Sequence, residues 1–311
     1  MNERGGVRPD TVEKVIRALR DSDYPRRIPQ RHHGLMRIDV ILVNPKSSFF
    51  ERLARAFARI AATLDPVISV HRSFMDESDP EEIARRLNDT SIRRSAVIIA
   101  APEHPSVREA LINLRSSGVP IIQMVSRMHG LDADYIGIEN AAAGRMAGLL
   151  LSGLQKRSGR VVAMCHSGIY DAHRQRIFGF SDYILRQNLK DFKFECVAFH
   201  YDDAFRASNA LYEILDRSDD LVGLYNAGGT NSTISDILRR HKERDICFIG
   251  HELTERSSDA LRDGTIAAII DQVPEAQARR ALDMALYRLG LLDQPIDLRP
   301  IPFVTITKEN T

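Results

Sequence analysis

Residues 264–282, GTIAAIIDQVPEAQARRAL, join a short apolar β-type run directly to a helical pattern. The apolar run ends at Asp271 and Gln272, and Val273 and Pro274 begin the helical part. Proline disfavours the α conformation in the residue before it and suits the first turn of a helix, so the strand is expected to end here. In open parallel sheets the carboxyl ends of the strands face the ligand. The stretch therefore predicts that Asp271 and Gln272 lie where such sheets bind ligands.

The composition is that of an ordinary globular protein large enough for two domains. The chain has 311 residues, 43% of them hydrophobic and 27% charged, and a formal net charge of +1. Residues 1–35 hold eight basic and five acidic side chains, so the basic excess lies at the front. No apolar run approaches the ~18 residues of a membrane span, and the front lacks the apolar core of a secretory signal. We therefore expect neither a membrane partner nor export.

The three cysteines, Cys165, Cys196 and Cys247, are widely separated and lie in or beside apolar runs. An odd number of buried thiols is typical of a reducing compartment rather than of a disulfide framework. The expected location is the cytoplasm.

Alternating strands and helices fill the chain from residue 37 onward. Before them, residues 7–20 have the apolar spacing of an amphipathic helix, and residues 21–35, rich in Pro, Arg and His, are predicted to be a linker. Short, nearly continuous apolar strands separated by amphipathic helices are typical of parallel sheets covered on both faces. The predicted strands are residues 38–43, 67–70, 96–100, 119–124, 135–138, 160–164, 194–199, 221–225, 246–249 and 266–270.

This number of strands predicts two Rossmann-like α/β lobes of about five strands each rather than one twisted sheet. The polar loop HGLDADY, residues 129–135, marks the division. A late helix and a last β-branched run at 303–307 must be shared between the lobes, which predicts three crossovers and a cleft between the lobes. We assign residues 1–35 to a front segment, 36–133 plus 274–295 to the N-terminal lobe, and 134–273 plus 296–311 to the C-terminal lobe.

Polar and aromatic residues follow most of the predicted strands. Planar amides, carboxylates and guanidinium groups can bond adjacent hydroxyls, and aromatic faces cover C–H surfaces, so the set suits a polyhydroxylated ligand. The residues are Asn44, Ser47, Phe49, Phe50, Ser126, Arg127, His166, Arg174, Asp202, Asn226, His251, Glu252, Asp271 and Gln272.

Catalytic motifs are missing from the sequence. There is no G-x-S-x-G elbow and no G-x-G-x-x-G after a strand, and residues 228–231, GGTN, lack the Lys-Ser/Thr of a phosphate-binding P-loop. Cys165 and His166 are adjacent in sequence, which normally directs their side chains apart. No Cys/His spacing supports a metal site. We therefore expect no enzyme, cofactor or metal.

Several short motifs follow one another in an informative order. In chain order they are NPKSSFF (44–50), GVPII (118–122), IGIEN (136–140), RQRIFGF (174–180), GHE (250–252) and IDQVP (270–274). Together they resemble the LacI/GalR family of bacterial transcription regulators, whose core is similar to periplasmic sugar-binding proteins. The resemblance covers nearly the whole chain and implies a type I periplasmic-binding-protein-like fold.

The resemblance also implies roles for individual residues. Ser126 and Arg127 stand where sugar binders commonly have an Asp-Arg pair, and Glu252 replaces a shorter aspartate, so the expected effector is a small carbohydrate-like molecule other than ribose. Asp271 is left open between a ligand contact and a cap for the following helix. The implied ligand contacts are Ser47, Phe49, Phe50, Ser126, Arg127, Arg174, Asn226, Glu252 and Gln272.

Residues 2–24 resemble the end of the family's helix-turn-helix headpiece. The two helices that would enter the major groove are expected before Met1, so operator DNA would be bound only through a headpiece mostly absent from this chain. By the same resemblance, residues 50–64 and 275–291 are expected to form a homodimer surface. The sequence thus predicts the effector-sensing core of a LacI/GalR-type regulator.

Two alternatives remain open at this point. A solute-binding component of a sugar transporter would share the same core, although the headpiece-like front favours a regulator. An enzyme could use Asp271 and Glu252 as acid and base, but no nucleophile or cofactor motif accompanies them.

Overall fold

Two α/β lobes joined by three chain crossings make up the computed structural model. It describes residues 35–44, 47–187, 191–217 and 219–311. The predicted helix at 7–20, the headpiece-like segment and all but the last residue of the predicted linker lie outside these ranges. Every predicted strand has a counterpart, and the predicted class, two lobes with parallel sheets, is confirmed.

A five-stranded parallel sheet forms the first lobe. Helices cover it, and the last of them returns from the second lobe to pack against the first helix and the sheet. The strands are β1 (Met36–Val43), β2 (Ile68–Met75), β3 (Ala96–Ile99), β4 (Ile121–Met124) and β5 (Asp134–Ile136), in the order β2-β1-β3-β4-β5. The helices are α1 (Ser48–Ala61), α2 (Pro80–Asn88), α3 (Pro105–Ser116) and the returning α9 (Pro274–Arg288).

The second lobe holds a six-stranded sheet in which only the last strand is antiparallel. Its strands are β6 (Gly159–Cys165), β7 (Phe192–Phe199), β8 (Leu221–Asn226), β9 (Cys247–His251), β10 (Ala268–Asp271) and β11 (Val304–Ile306), in the order β11-β10-β9-β8-β6-β7. Its helices are α4 (Asn140–Leu154), α5 (Asp171–Arg186), α6 (Ala204–Arg217), α7 (Asn231–Arg240) and α8 (Glu255–Arg262).

The sequence pattern explains why these elements form. β3 and β10 are buried along their whole length, as expected of central strands in a sheet covered on both faces. In α1, Phe50, Leu53 and Phe57 recur at helical spacing and are all buried, while Glu51 and Arg55 face solvent. Burial of such apolar stripes against the sheet is the main stabilising force in both lobes.

The predicted division between the lobes is wrong by one strand. β5 was assigned to the second lobe, but it pairs in parallel with β4, with Ile122 opposite Asp134 and Met124 opposite Ile136. The polar loop before β5 has the composition of a boundary, yet it returns the chain to the same sheet. The first crossing therefore begins at Gly137, whose carbonyl oxygen accepts a hydrogen bond from the backbone N–H of Ile301 in the third crossing, at 2.9 Å.

Helices α4 and α5 pack closely through glycines. A Cβ added at Gly179 would collide with the carbonyl oxygen of Ala141, and one added at Gly144 would collide with that of Arg176. Neither neighbour is a flexible side-chain end, because both are backbone atoms. The two helices can approach this closely only because glycine stands at the contact.

Across the described ranges, no helix combines the length and apolar character needed to cross a membrane. The same ranges contain no cluster of three or more His, Cys, Asp or Glu side chains arranged to hold a metal ion.

We expect Gly179→Ala to lower the free energy of unfolding by about 2 kcal/mol, because α4 and α5 must move apart to admit the methyl group. Gly153→Ala in α4 is the matched control, since a Cβ there meets no atom within 4 Å. The control should be neutral or stabilising by up to about 1 kcal/mol, because alanine favours helix. Urea denaturation measures both. Equal effects of the two substitutions would contradict the close-packing argument.

Candidate ligand-binding cleft

A cavity of about 430 Å³ lies between the lobes, at the carboxyl ends of the strands of both sheets. This is the position at which open parallel sheets bind ligands, and the volume is typical of small-molecule sites. Both lobes contribute side chains to its wall. Those of the first lobe are Asn44, Ser47, Ser48, Phe49, Phe50, Glu77 and Val125; those of the second include His166, Tyr170, His173, Arg176, Asp202, Thr230, Asn231, His251, Glu252, Thr254 and, at the crossing, Gln272.

Two phenylalanines form the apolar side of the cavity. Phe49 and Phe50 stand in the first turn of α1, with ring centroids 5.3 Å apart in an edge-to-face arrangement. Because both rings are almost completely buried, each is held in place by the core of the first lobe. The site thus presents a rigid aromatic surface, which suits the C–H face of a ligand.

Arg176 forms the centre of the polar side. Its Nε donates to Asn140 Oδ1 at 2.9 Å, one terminal nitrogen donates to the Ala227 carbonyl oxygen at 2.9 Å, and the other donates to Gln272 Oε1 at 2.5 Å. Only 2% of the residue is exposed. Gln272 in turn donates from Nε2 to Glu252, so a continuous network joins α5 to the second crossing.

Burial changes the protonation of the groups around Arg176. Burial, and then the charge of Asp271, raise the pKa of Glu252 to about 8, although Gln272 and Arg176 oppose the shift. Glu252 is therefore mostly protonated at neutral pH. One of its side-chain oxygens is buried without a hydrogen-bond partner among the described residues. Burial also lowers the pKa of His251 and of His173 well below the ordinary histidine value, which keeps both rings neutral.

A glycine-rich loop brings the start of α7 to the cavity. Asn226, at the end of β8, donates from Nδ2 to the Gly229 carbonyl oxygen at 2.5 Å and to Asn231 Oδ1 at 2.7 Å. Its Oδ1 lies 3.1 Å from His200 Nε2. Thr230 then takes a left-handed conformation, with φ of 64°, immediately before the helix. Asn226 therefore holds the loop that forms this part of the cavity wall.

Polar contacts join the lobes on the side of the cleft farthest from the crossings. Glu77 follows β2, at the opposite edge of the first sheet from β5, where the first crossing begins. Its carboxylate lies 3.0 Å from His166 Nε2 and accepts a hydrogen bond from the Tyr170 hydroxyl. Nearby, Asn44 Nδ2 donates to Asp202 Oδ2 at 3.4 Å. We call the Glu77, His166 and Tyr170 contact the latch.

Residues 38–290 match the periplasmic binding protein domain family. The chain belongs to this family. Among curated proteins no sequence matches the chain significantly.

Several solved structures have a similar fold. A solute-binding protein from Burkholderia graminis C4D1M in complex with D-arabinose is 18% identical, with a TM-score of 0.81 over 90% of this chain and 98% of that one. A solute-binding protein from Actinobacillus succinogenes 130z with bound D-allose is 17% identical, with a TM-score of 0.79 over 88% and 98%. A candidate LacI transcriptional regulator from Bacteroides fragilis is 18% identical, with a TM-score of 0.78 over 89% and 98%.

The structure brings half of the sequence-predicted site residues to the cavity wall. Asn226 supports the wall without lining it, and Asp271 is turned toward Arg52 of α1, 2.5 Å away. Ser126 is buried between the lobes, where its hydroxyl oxygen accepts from the Ala172 backbone N–H at 3.4 Å, and Arg127 lies over the Tyr135 ring at 4.6 Å. The predicted ligand contacts that line the cavity are Ser47, Phe49, Phe50, Glu252 and Gln272.

Arg174, a predicted ligand contact, lies outside the cavity, and Arg176 on the same helix lines it instead. Arg174 is on the outer side of α5, with 42% of its side chain exposed, and bonds the Gly168 carbonyl oxygen at 2.7 Å and Glu103 at 3.2 Å. Two residues along a helix rotate the side chain by roughly 200°, so the two arginines point in opposite directions. The helical spacing of the sequence could have identified Arg176, because it lies on the same buried stripe as Ala172 and Phe180.

Other wall residues were missed for a different reason. Glu77 lies in a polar turn after an edge strand, and Tyr170 and His173 stand at the start of α5, where the sequence shows no motif. They reach the cleft because the lobes face each other, which is a long-range relationship. Only Tyr170's aromatic character beside His166 in the loop after β6 hinted at a site.

The latch is expected to be pH-sensitive. Burial opposes a charge on His166, but the hydrogen bond with Glu77 and the charges of Asp202 and Glu77 raise its pKa above the ordinary value. Burial likewise opposes ionisation of Glu77, but its bonds to His166 and Tyr170 lower its pKa. Both shifts favour the charged pair.

We expect Glu77→Gln to remove this pH-dependent stabilisation. Because the pKa of His166 is raised in the folded state, the contribution is complete below its unfolded value of about 6.5 and is lost as pH rises through the folded pKa. The free energy of unfolding should therefore fall by about 1 kcal/mol in the variant at mildly acidic pH, and by less at alkaline pH. Denaturant unfolding over a pH series measures the difference in free energy of unfolding between the unmodified chain and the variant. The contributions of the other histidines cancel in this difference, because both proteins contain them. Glu109→Gln, at an exposed position on α3, is the control. A difference that does not change with pH would contradict the latch chemistry.

Proposed function

We propose that this chain is the effector-sensing part of a LacI/GalR-type transcription regulator and binds a small sugar-like molecule between its lobes. The observation that carries the proposal is the interlobe cavity, which has an aromatic surface on one side and a buried polar network on the other. Such a wall matches a ligand that has C–H faces and several hydroxyl groups. The D-arabinose and D-allose carried by two proteins of similar fold support this ligand class.

The same cavity suggests how binding would be transmitted. Gln272 faces the cavity, and its neighbour Asp271 is bonded to Arg52 of the first lobe and to the backbone N–H of Val273 at 2.8 Å. A ligand that contacts both lobes favours the arrangement in which all its contacts are made, and so shifts the equilibrium of lobe closure. Because the second crossing runs through these residues, closure and binding would be coupled directly.

A regulator is favoured over a transporter component by the front of the sequence. Residues 2–24 resemble the end of the family's DNA-binding headpiece. The three free thiols fit the proposed cytoplasmic location, since disulfides are rare there. The second candidate is a sugar transporter's solute-binding component, which the arabinose- and allose-bound proteins of similar fold favour.

We expect Arg176→Met to weaken binding of the stabilising sugar by at least about tenfold, because the ligand would lose a charged hydrogen-bond donor. A thermal-shift screen of sugars, sugar acids and polyols identifies the ligand, and calorimetry gives its affinity. Arg174→Met is the matched control on the same helix and should leave the affinity unchanged. Circular dichroism checks that both variants fold. Equal loss in the two variants, or no loss in either, would place the ligand elsewhere.

The two candidate functions differ in the oligomeric state that they require. A regulator that reads a two-fold symmetric operator needs two copies, whereas a solute-binding component needs one. On the proposed dimer surface, α1 presents Glu51, Arg55 and Arg59 to solvent. We expect sedimentation equilibrium at micromolar concentration to give the mass of a dimer, and reversal of the charges at Arg55 and Arg59 to weaken it. A monomer at every concentration would favour the transporter component.

A further inference from the structure

We propose that the ligand of this cleft is an acidic sugar, whose carboxylate or phosphate group pairs with Arg176. The inference rests on the proposed ligand-binding function of the cleft and specifies the chemical class of its ligand.

The first argument is the unneutralised charge of Arg176. All three of its hydrogen-bond acceptors, which belong to Asn140, Ala227 and Gln272, are uncharged. No carboxylate in the described part of the chain forms an ion pair with it. A buried charge without a counter-charge is costly, and an ionised carboxylate or phosphate is the natural partner of a guanidinium group. Each terminal nitrogen of Arg176 retains one N–H for such a partner.

The second argument is that the carboxylates beside the cleft that are not exposed to solvent already have partners. Glu77 is bonded to His166 and Tyr170, and Asp202 accepts from the Gly229 backbone N–H at 3.1 Å and from Asn44. Both follow strands at the edge of the cleft that carries the latch. Asp271 is paired with Arg52. None of these carboxylates contacts Arg176.

Glu252 is the acid nearest to Arg176 in the hydrogen-bond network, because Gln272 bonds both side chains. Its raised pKa of about 8 leaves it mostly protonated at neutral pH, so it does not balance the guanidinium charge. A protonated carboxyl group can instead donate a hydrogen bond to an anionic oxygen. One of its oxygens is buried and has no hydrogen-bond partner among the described residues.

The third argument is the backbone next to Arg176. Arg176 donates to the carbonyl oxygen of Ala227, and the next residues along the chain are the Gly228–Thr230 loop and α7. Thr230 makes no side-chain cap for this helix, and the side chains of Ser232 and Thr233 in its first turn line the cavity. Unpaired N–H groups and the helix dipole at such a terminus favour an anion. Arg176 and the start of α7 therefore act on the same side of the cavity.

The experiment compares matched probes on the full chain. Calorimetry is run with glucose, galactose and mannose, and for each with its uronate and its phosphate monoester. We expect the acidic member of at least one set to bind about tenfold or more tightly than its neutral sugar. Preference for the uronate identifies a carboxylate ligand, and preference for the monoester identifies a phosphate ligand.

Two variants test the assigned roles. Arg176→Met should abolish the preference for the acidic member, whereas Arg174→Met should preserve it. Glu252→Gln should remove the loss of affinity expected above about pH 8 in the unmodified chain, where ionised Glu252 repels the anion. If Arg176→Met does not fold, the salt dependence decides: affinity for the acidic member should fall on raising salt from about 0.05 to 0.5 M, and that for the neutral sugar should not.

The outcomes separate this inference from the proposed function. Tighter binding of a neutral sugar, with the same loss for all members in Arg176→Met, would overturn the acidic-ligand inference and support the sugar-binding cleft. The absence of binding by every acidic probe would also overturn it. Failure of all probes, neutral and acidic, would count against both.

Discussion

The ion pair between Arg52 and Asp271 is the interaction on which the arrangement of the two lobes depends. Arg52, on the first helix of the first lobe, contacts Asp271 at 2.5 Å, the Leu253 carbonyl oxygen at 3.1 Å and Glu275 at 2.9 Å. Asp271 also accepts from the backbone N–H groups of Leu253 and Val273. One guanidinium group and one carboxylate therefore fix the loop after β9, the end of β10 and the start of α9 relative to α1. Because the pair is largely buried, solvent screens it only weakly.

Backbone strain is concentrated beside the cleft, where strands end and helices begin. Val125, Thr230, Glu252 and Val273 all have positive φ, and each follows a strand or precedes a helix at the cleft. Left-handed geometry costs of order 1 kcal/mol or more for such residues, and most for the β-branched valines. The chain must turn sharply there to send a helix back over the sheet while its side chains still face the cavity. The strained residues therefore lie where the backbone turns beside the cavity.

Two of the contacts between the lobes lie on opposite sides of the cleft. Arg52 and Asp271 lie beside the second crossing, where the chain itself limits separation. Glu77 and His166 lie at the opposite edge, where only side chains join the lobes. A rotation about the crossings would therefore separate the latch residues by more than it separates Arg52 and Asp271. This asymmetry is what a hinged binding protein requires.

The sequence by itself determined the fold class, the strands and much of the wall. Local patterns suffice for these, because strand burial, helix periodicity and the proline after Gln272 act within a few residues. Glu252 and Gln272 were predicted because each stands directly after a recognisable strand, and Phe49 and Phe50 because they lie in the segment that follows β1. Only the tertiary structure decided which sheet β5 joins, that Arg176 rather than Arg174 faces the cavity, and that Asp271 pairs with Arg52. Those facts depend on strand pairing, on the rotation of one helix and on charges brought together from distant segments, and no local pattern encodes such long-range relationships.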